Sequence, residues 1–269
     1  ALLEAQPSNT SALLGLAEAY IGAKDTVKAV ETYNRCLKLS PNDWRANFGL
    51  GTVYLQLNYY PLARPYLEKA LSLAPAQPQS RAWVTYNLAL CYRGLHRLPE
   101  AIDLARRVLA LDPTNLDARR ILVALYAEAG RLDDAMAEAR ATAAAVRAAL
   151  AKAPDDRVLL EHQVQILLIC SELLQAQIAA RPDDVALRLE MADILEQVAT
   201  ATRQRGYRNA IDQLDVALQK APNHPDVLFA RGRLLYLIGN SAKAVEDLRA
   251  ALKAAPHDDR ARQLLEQIQ

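Results

Sequence analysis

The chain has 269 residues, of which 52% are hydrophobic and only nine are glycine, and this composition favours a nearly all-helical soluble protein with a large buried surface. Its 32 Lys and Arg residues nearly balance its 31 Asp and Glu residues, for a net charge of +1, which gives no electrostatic argument for binding nucleic acid or a membrane surface. The apolar stretches are short and interrupted by charges, so no membrane insertion is expected.

The amino-terminal residues, ALLEAQPSN, show neither an initiator Met nor a signal peptide. We therefore expect a segment of a longer chain or a member of a larger complex, and we interpret residues 1–6 as the end of a helix from a preceding repeat. Either the cytoplasm or the periplasm is compatible with this sequence. The high content of Ala and Arg relative to Lys favours a bacterial source.

Proline residues recur along the chain at a constant interval. Pro7, Pro41 and Pro75 are 34 residues apart, as are Pro222 and Pro256. An alanine lies twelve residues before five prolines, at Ala29, Ala63, Ala101, Ala210 and Ala244. A fixed period of this length indicates a repeated structural unit.

Each unit has the pattern of two amphipathic helices joined by a tight turn. In residues 10–43, two apolar stripes of helical spacing flank the segment GAKDT, and Pro41 ends the second helix. The pattern returns at 44–75, 82–113 and 225–256, and it begins again near Leu122. Small residues are expected where the two helices cross, with Ala17, Gly51, Ala89 and Gly232 facing Ala29, Ala63, Ala101 and Ala244.

The middle of the chain departs from this period. Four additional residues, AQPQ, are expected to lengthen the loop before Trp83, and seven more are expected to lengthen the helix after Ala135. Residues 155–181 contain no Gly or Pro and predict one long helix, with an unmarked turn near 168 as the alternative. Residues 183–204 predict another long helix. A short capping helix is expected at 258–269, with Leu264 and Leu265 facing inward.

The pattern L-G/A-x-x-Y…A…A-L-x-L-x-P, repeated every 34 residues, resembles the tetratricopeptide repeat over 8–135 and about 205–258. The resemblance implies an all-α, right-handed superhelical solenoid of antiparallel helix pairs, here with three longer helices in the middle. We expect a regular array of about three and a half repeats at 1–135, an irregular long-helix segment at 136–204, and a repeat with its capping helix at 205–269.

Catalytic and metal-binding patterns are not found in the sequence. It contains no HExxH, GxSxG, P-loop or CxxC motif, and its three cysteines are far apart. We therefore predict a protein that is not an enzyme and needs no cofactor. We interpret Cys36, Cys91 and Cys170 as small buried residues, and the four histidines as structural or surface residues.

A partner-binding surface remains as the candidate site. The resemblance implies that the first helix of each pair lines a concave face, where family members bind extended peptides or helices. The expected outward residues form an aromatic platform, which we define as Arg45, Phe48, Trp83, Tyr86 and Arg120, with Arg93 as a further neighbour. A second candidate set in the last repeat is Phe229, Arg233 and Tyr236. The Lys and Asn pattern of chaperone-carboxylate clamps is not matched.

The main hypothesis is a non-catalytic scaffold that binds a protein or peptide partner in its concave groove. One alternative is a docking arm of a larger glycosyl- or sulfotransferase. Another is the periplasmic array of a bacterial polysaccharide-export or envelope-assembly protein. The full-length reading frame would distinguish them, because a fused catalytic domain supports the first alternative and an upstream signal sequence supports the second.

Overall fold

The computed structural model describes residues 8–202 and 206–268, and every regular element in these ranges is an α-helix. Contacts divide the chain into two compact units, the first ending at Arg131 and the second beginning at Leu132. The first unit contains α1 (Thr10–Gly22), α2 (Thr26–Leu39), α3 (Trp44–Gln56), α4 (Tyr60–Leu73), α5 (Pro78–Gly94), α6 (Leu98–Leu111) and α7 (Leu116–Glu128). The second contains α8 (Leu132–Leu150), α9 (Arg157–Ala180), α10 (Val185–Ala201), α11 (Tyr207–Lys220), α12 (Pro225–Leu237), α13 (Ser241–Ala254) and α14 (Asp259–Ile268).

This architecture confirms the predicted all-α solenoid of helix pairs with three longer helices in the middle. The proposed helix at residues 1–6 lies outside the described residues. The three-part division at 135/136 and 204/205 stays a prediction, whereas the contacts divide the chain once, after Arg131.

Polar residues at the helix starts supply the hydrogen-bond acceptors that a helix lacks in its first turn. The Asp43 carboxylate accepts from the backbone N–H groups of Arg45 and Ala46 at 2.9 and 3.1 Å. Asn115 accepts from Ala118 N–H at 2.9 Å in the same way. Such a cap stabilises a helix by about 1 kcal/mol, so the polar residues that follow the prolines mark the helix starts.

The turn within each regular pair depends on one residue in the left-handed region. The φ angles are 60° at Lys24, 59° at Asn58, 57° at His96, 71° at Gly130 and 86° at Gly239. Only glycine adopts this region without a steric cost from Cβ, so three of the five turns carry some strain. His96 therefore lies in a turn of the backbone, at an exposed position.

Close packing between the two helices of a pair explains the small residues. Ala29, Ala63, Ala101 and Ala244 are fully buried. A Cβ added at Gly51 would lie 2.8 Å from Leu67 Cγ, and one added at Gly232 would lie 3.1 Å from Leu248 Cγ and 3.2 Å from the Ala244 carbonyl oxygen. At Gly51 the closest contact is therefore with Leu67 and not with the predicted Ala63. Leu67 lies one helical turn after Ala63, and its side chain fills the crossing point.

The insertion before Trp83 lengthens helix α5 and not the loop, so the predicted longer loop is wrong. The connection before α5, 74–77, has the same length as the connection before α3, 40–43. Helix α5 begins at Pro78, three residues after Pro75, just as α3 begins three residues after Pro41. It has 17 residues, whereas α3 has 13. Proline suits the first helical position because its missing N–H would have no partner there, so the four residues add a helical turn.

The three middle helices are long, as predicted. Helices α8, α9 and α10 have 19, 24 and 17 residues, and α9 runs without a break through residue 168. By length and composition α9 is apolar enough to cross a membrane, but it packs against α8 and α10, and 39% of its most apolar window is buried. At the other end of the unit, Leu264 and Leu265 of α14 pack onto the apolar core, which confirms the capping helix.

Candidate functional site

A cleft opens in the first unit between three first helices, α1, α3 and α5. Its volume is about 390 Å³, and three predicted residues, Arg45, Phe48 and Trp83, line it. We call it the first cleft. Phe48 also packs against two apolar clusters, beside Leu71, so part of its ring belongs to the core. Trp83 is 62% exposed, which leaves most of its indole free to contact a ligand.

Tyr33 and Gly49 form the inner wall of the first cleft. A Cβ on Gly49 would lie only 2.3 Å from the Tyr33 ring, so the glycine makes the space that Tyr33 occupies. Burial raises the pKa of Tyr33 to about 12, and the nearby charge of Glu18 contributes to the same shift. The hydroxyl is therefore neutral at physiological pH, and this wall of the first cleft is apolar with a neutral polar tip.

Charges in the first cleft come from one cation and one carboxylate. The Arg45 guanidinium lies 5.8 Å from the centre of the Trp44 ring, and it makes no ion pair with any described residue. Glu18 also lines the cleft and makes none within the described part of the chain. The Thr52 hydroxyl oxygen is buried in the cleft lining without a hydrogen-bond partner among described residues. These groups are available to a ligand with polar as well as apolar parts.

The rest of the aromatic platform lies apart from the first cleft. Tyr86 packs on a different apolar cluster, beside Val108, and is half-buried. Burial and the charge of Asp117 raise its pKa, while the charge of Arg120 and a hydrogen bond to it act in the opposite direction. Arg120 also pairs with Asp117 at 3.0 Å, and Arg93 pairs with Glu128. The structure therefore joins Arg45, Phe48 and Trp83 in one cleft, and Tyr86 and Arg120 in a neighbouring polar pair.

In the second unit, a pocket of about 360 Å³ lies between α10 and α12 and is lined by two of the three residues in the second predicted set. We call it the second pocket. The Arg260 guanidinium covers the Phe229 ring at 4.8 Å. Arg233 pairs with Glu196 at 2.5 Å. Tyr236 is 37% exposed and is not among the described residues of the pocket lining.

Several residues that line these sites lie outside the sets predicted from the sequence. Trp44 lines the first cleft, and its spacing of four residues from Phe48 places it on the same helical stripe, which the sequence could have revealed. Asp193 and Glu196 line the second pocket from a long helix in the irregular segment, where no repeat register identified an outward face.

Metal-binding side chains do not cluster in residues 8–202 and 206–268. No group of three His, Cys, Asp or Glu side chains in these ranges could hold a metal ion. The three cysteines are buried free thiols, as predicted, and burial raises the pKa of both Cys91 and Cys170 to about 11. A thiol with so high a pKa stays protonated near neutrality and is a poor nucleophile.

Three sequence profiles of the tetratricopeptide repeat match the chain, over residues 16–83, 92–157 and 195–259. Together these segments include most of the first unit and the last regular repeat.

Two relatives are similar in sequence over part of the chain. Cellulose synthase operon protein C of Pseudomonas fluorescens (strain SBW25) is 31% identical over 110 residues, which are 41% of this chain and 8% of that protein. BBSome complex member BBS4 of Xenopus tropicalis is 34% identical over 96 residues, which are 36% of this chain and 18% of that protein. The chain therefore corresponds to a small part of each relative.

Among solved structures, MamA 41-end from Desulfovibrio magneticus RS-1 superposes with a TM-score of 0.51 and 25% identity. The superposition covers 54% of this chain and 80% of that one. About half of the chain therefore shares its helical-repeat fold with that protein.

Proposed function

Because the chain belongs to the tetratricopeptide-repeat family, we propose that it is a non-catalytic scaffold that binds a segment of a partner protein in the first cleft. Members of this family are generally non-catalytic scaffolds. The observation that supports the proposal most directly is Trp83, which is 62% exposed at the edge of a cleft that also contains Phe48 and Arg45. Exposed aromatic residues next to arginine are typical of the residues that contribute most to binding at interfaces.

The lining of the first cleft defines the kind of segment that it would accept. An apolar side chain would pack between Phe48 and Trp83, and burial of a large aliphatic group there would contribute about 2 kcal/mol. An acidic side chain of the partner would pair with Arg45, whose charge no described residue balances. The buried Thr52 hydroxyl would then gain the hydrogen bond that it lacks. Tyr86 and Arg120 would extend the contact along the first helices.

Affinity capture tests this function. The wild-type chain and its Trp83→Ala variant are immobilised and exposed to a lysate of the source organism, and bound proteins are quantified by mass spectrometry. Tyr59→Ala is the matched control, because Tyr59 is an aromatic residue that is 56% exposed and does not line the cleft. A partner held by wild type and by Tyr59→Ala, but lost from Trp83→Ala, supports the proposal. Equal capture by all three proteins contradicts it.

A second candidate function is a repeat array within a bacterial polysaccharide-assembly protein. The similarity to cellulose synthase operon protein C favours it over the transferase docking arm, although the match spans only 8% of that protein. Determining the full reading frame and fractionating the tagged full-length protein would test this candidate. An upstream export signal and recovery with the cell envelope support it, whereas a fused transferase domain would support the docking arm.

A further inference from the structure

The second pocket combines an apolar floor with a rim of carboxylates. Leu189, Leu214 and Phe229 contribute to the floor. The carboxylates of the lining are Glu190, Asp193, Glu196 and Asp226, and its cations are Arg233 and Arg260. The lining therefore carries more negative than positive side chains, in contrast to the first cleft, which carries one of each.

Three of the four carboxylates are balanced by arginine. Glu196 pairs with Arg233 at 2.5 Å, and Asp226 pairs with Arg260 at 2.7 Å. Glu190 pairs with Arg140, from outside the pocket lining, also at 2.5 Å. These pairs hold the rim in place, and they neutralise most of its charge.

Asp193 is the carboxylate without a cationic partner in the described part of the chain. It accepts a hydrogen bond of 2.6 Å from the side-chain amide of Gln197, which fixes its position without neutralising its charge. The neighbouring Glu196 shows the effect of this charge. Burial is the main cause that raises its pKa, and repulsion by Asp193 raises it further, although Arg233 lowers it. A cation brought beside Asp193 would relieve this repulsion.

We propose that the second pocket is an interaction surface for a partner of basic, amphipathic character, whose aliphatic side chain fills the apolar floor and whose neighbouring Lys or Arg pairs with Asp193. The volume of about 360 Å³ is at the lower end of the range of ligand sites, which suits one side chain of a peptide rather than a large cofactor. Asp193, whose charge no arginine balances, determines the sign of the partner. Arg260 covers the Phe229 ring and is held there by Asp226 and Asp258, so its aliphatic and guanidinium groups form one wall of the pocket that the partner side chain would contact.

The first cleft is not required for this interaction, so the two proposals can fail separately. The test therefore uses the full chain carrying Trp83→Ala, which removes the main aromatic contact of the first cleft. A phage-displayed library of random 12-residue peptides is selected on this protein. Peptides that pair an aliphatic residue with Lys or Arg are expected to be enriched.

Enriched peptides are then measured by fluorescence anisotropy against two charge variants. Asp193→Asn keeps the shape of the side chain and can keep its hydrogen bond to Gln197, so its melting temperature should not change. Binding should weaken about threefold to tenfold, which is typical of a charge pair at an interface rim, and the loss should shrink at high salt. Asp212→Asn, a charge change of equal size at an exposed site outside the pocket, should bind like the parent.

Several results would overturn the proposal. These are enrichment of acidic peptides, no enrichment at all, or equal binding by the Asp193→Asn and Asp212→Asn proteins. Sedimentation provides one more outcome, because a concentration-dependent dimer that Asp193→Asn abolishes would assign the pocket to a second copy of this chain instead of a partner. Loss of lysate capture in Trp83→Ala with failed peptide selection would leave the first-cleft function intact and reject only the second pocket.

Discussion

Replacing Trp83 by alanine should strongly weaken partner binding while leaving the fold intact. Trp83 is 62% exposed, so it buries less than half of its surface within the chain. Large aromatic residues bury up to about 250 Å² when fully enclosed, so at about 25 cal/mol per Å² the substitution should cost at most about 2.5 kcal/mol of folding free energy. In a chain of this size the melting temperature should then fall by no more than about 10 °C. Truncating a central aromatic of an interface costs about 2 kcal/mol or more of binding free energy, which is roughly thirtyfold in affinity.

Thermal melts followed by circular dichroism measure the first quantity, and titration with the captured partner measures the second. Tyr59→Ala should match the wild type in binding because it lies outside the first cleft. Arg45→Gln should weaken binding less than Trp83→Ala and should reduce its salt dependence. An unfolded Trp83→Ala protein would mean that Trp83 is a core residue. A folded variant that still binds would place the site elsewhere, with the second pocket as the next surface to examine.

Four further outcomes are expected. Chelator and reductant together should leave the helical signal and melting temperature unchanged, because burial between helices stabilises the fold. Thermolysin should spare residues 158–180 under native conditions, and this protease is chosen because the segment contains no Lys or Arg for trypsin. His96→Gly should raise the unfolding free energy by up to about 1 kcal/mol, since it relieves a φ of 57°, whereas Gly130→Ala should lower it. The free energy of unfolding should fall as the pH rises from about 10 to 12, because tyrosine ionises near 10 in the unfolded chain whereas the pKa of folded Tyr33 is about 12. Chemical denaturation measures this loss, and Tyr33→Phe should reduce it.

The helix pairs could be predicted because their signals are local and strong. Ala63 is fully buried at a helix crossing, and Pro75 follows the end of α4. The alanine is small enough for the close helix crossing and the proline ends the helix, and both requirements recur in each repeat. The extra turn of α5 does not follow from the sequence, because a proline within an insertion usually indicates a loop. Pro78 instead occupies the first position of helix α5. Helix α3 likewise begins three residues after Pro41, and this common spacing is the feature that favours a helix start at Pro78.

The sequence predicts only part of each candidate site, because helical spacing gives the direction of a side chain and not its partners. Helical spacing places Phe48 and Trp83 on outward stripes, and both line the first cleft. Spacing does not show which charges are already balanced. Arg233 and Arg45 have equivalent positions in the sequence pattern. Arg233 nevertheless pairs with Glu196, which lies 37 residues earlier in the chain, whereas Arg45 makes no ion pair with any described residue. Because the repeat fixes only the inward positions, long-range pairing of the outward charges determines which of them a partner can use, and this pairing becomes visible only in the folded chain.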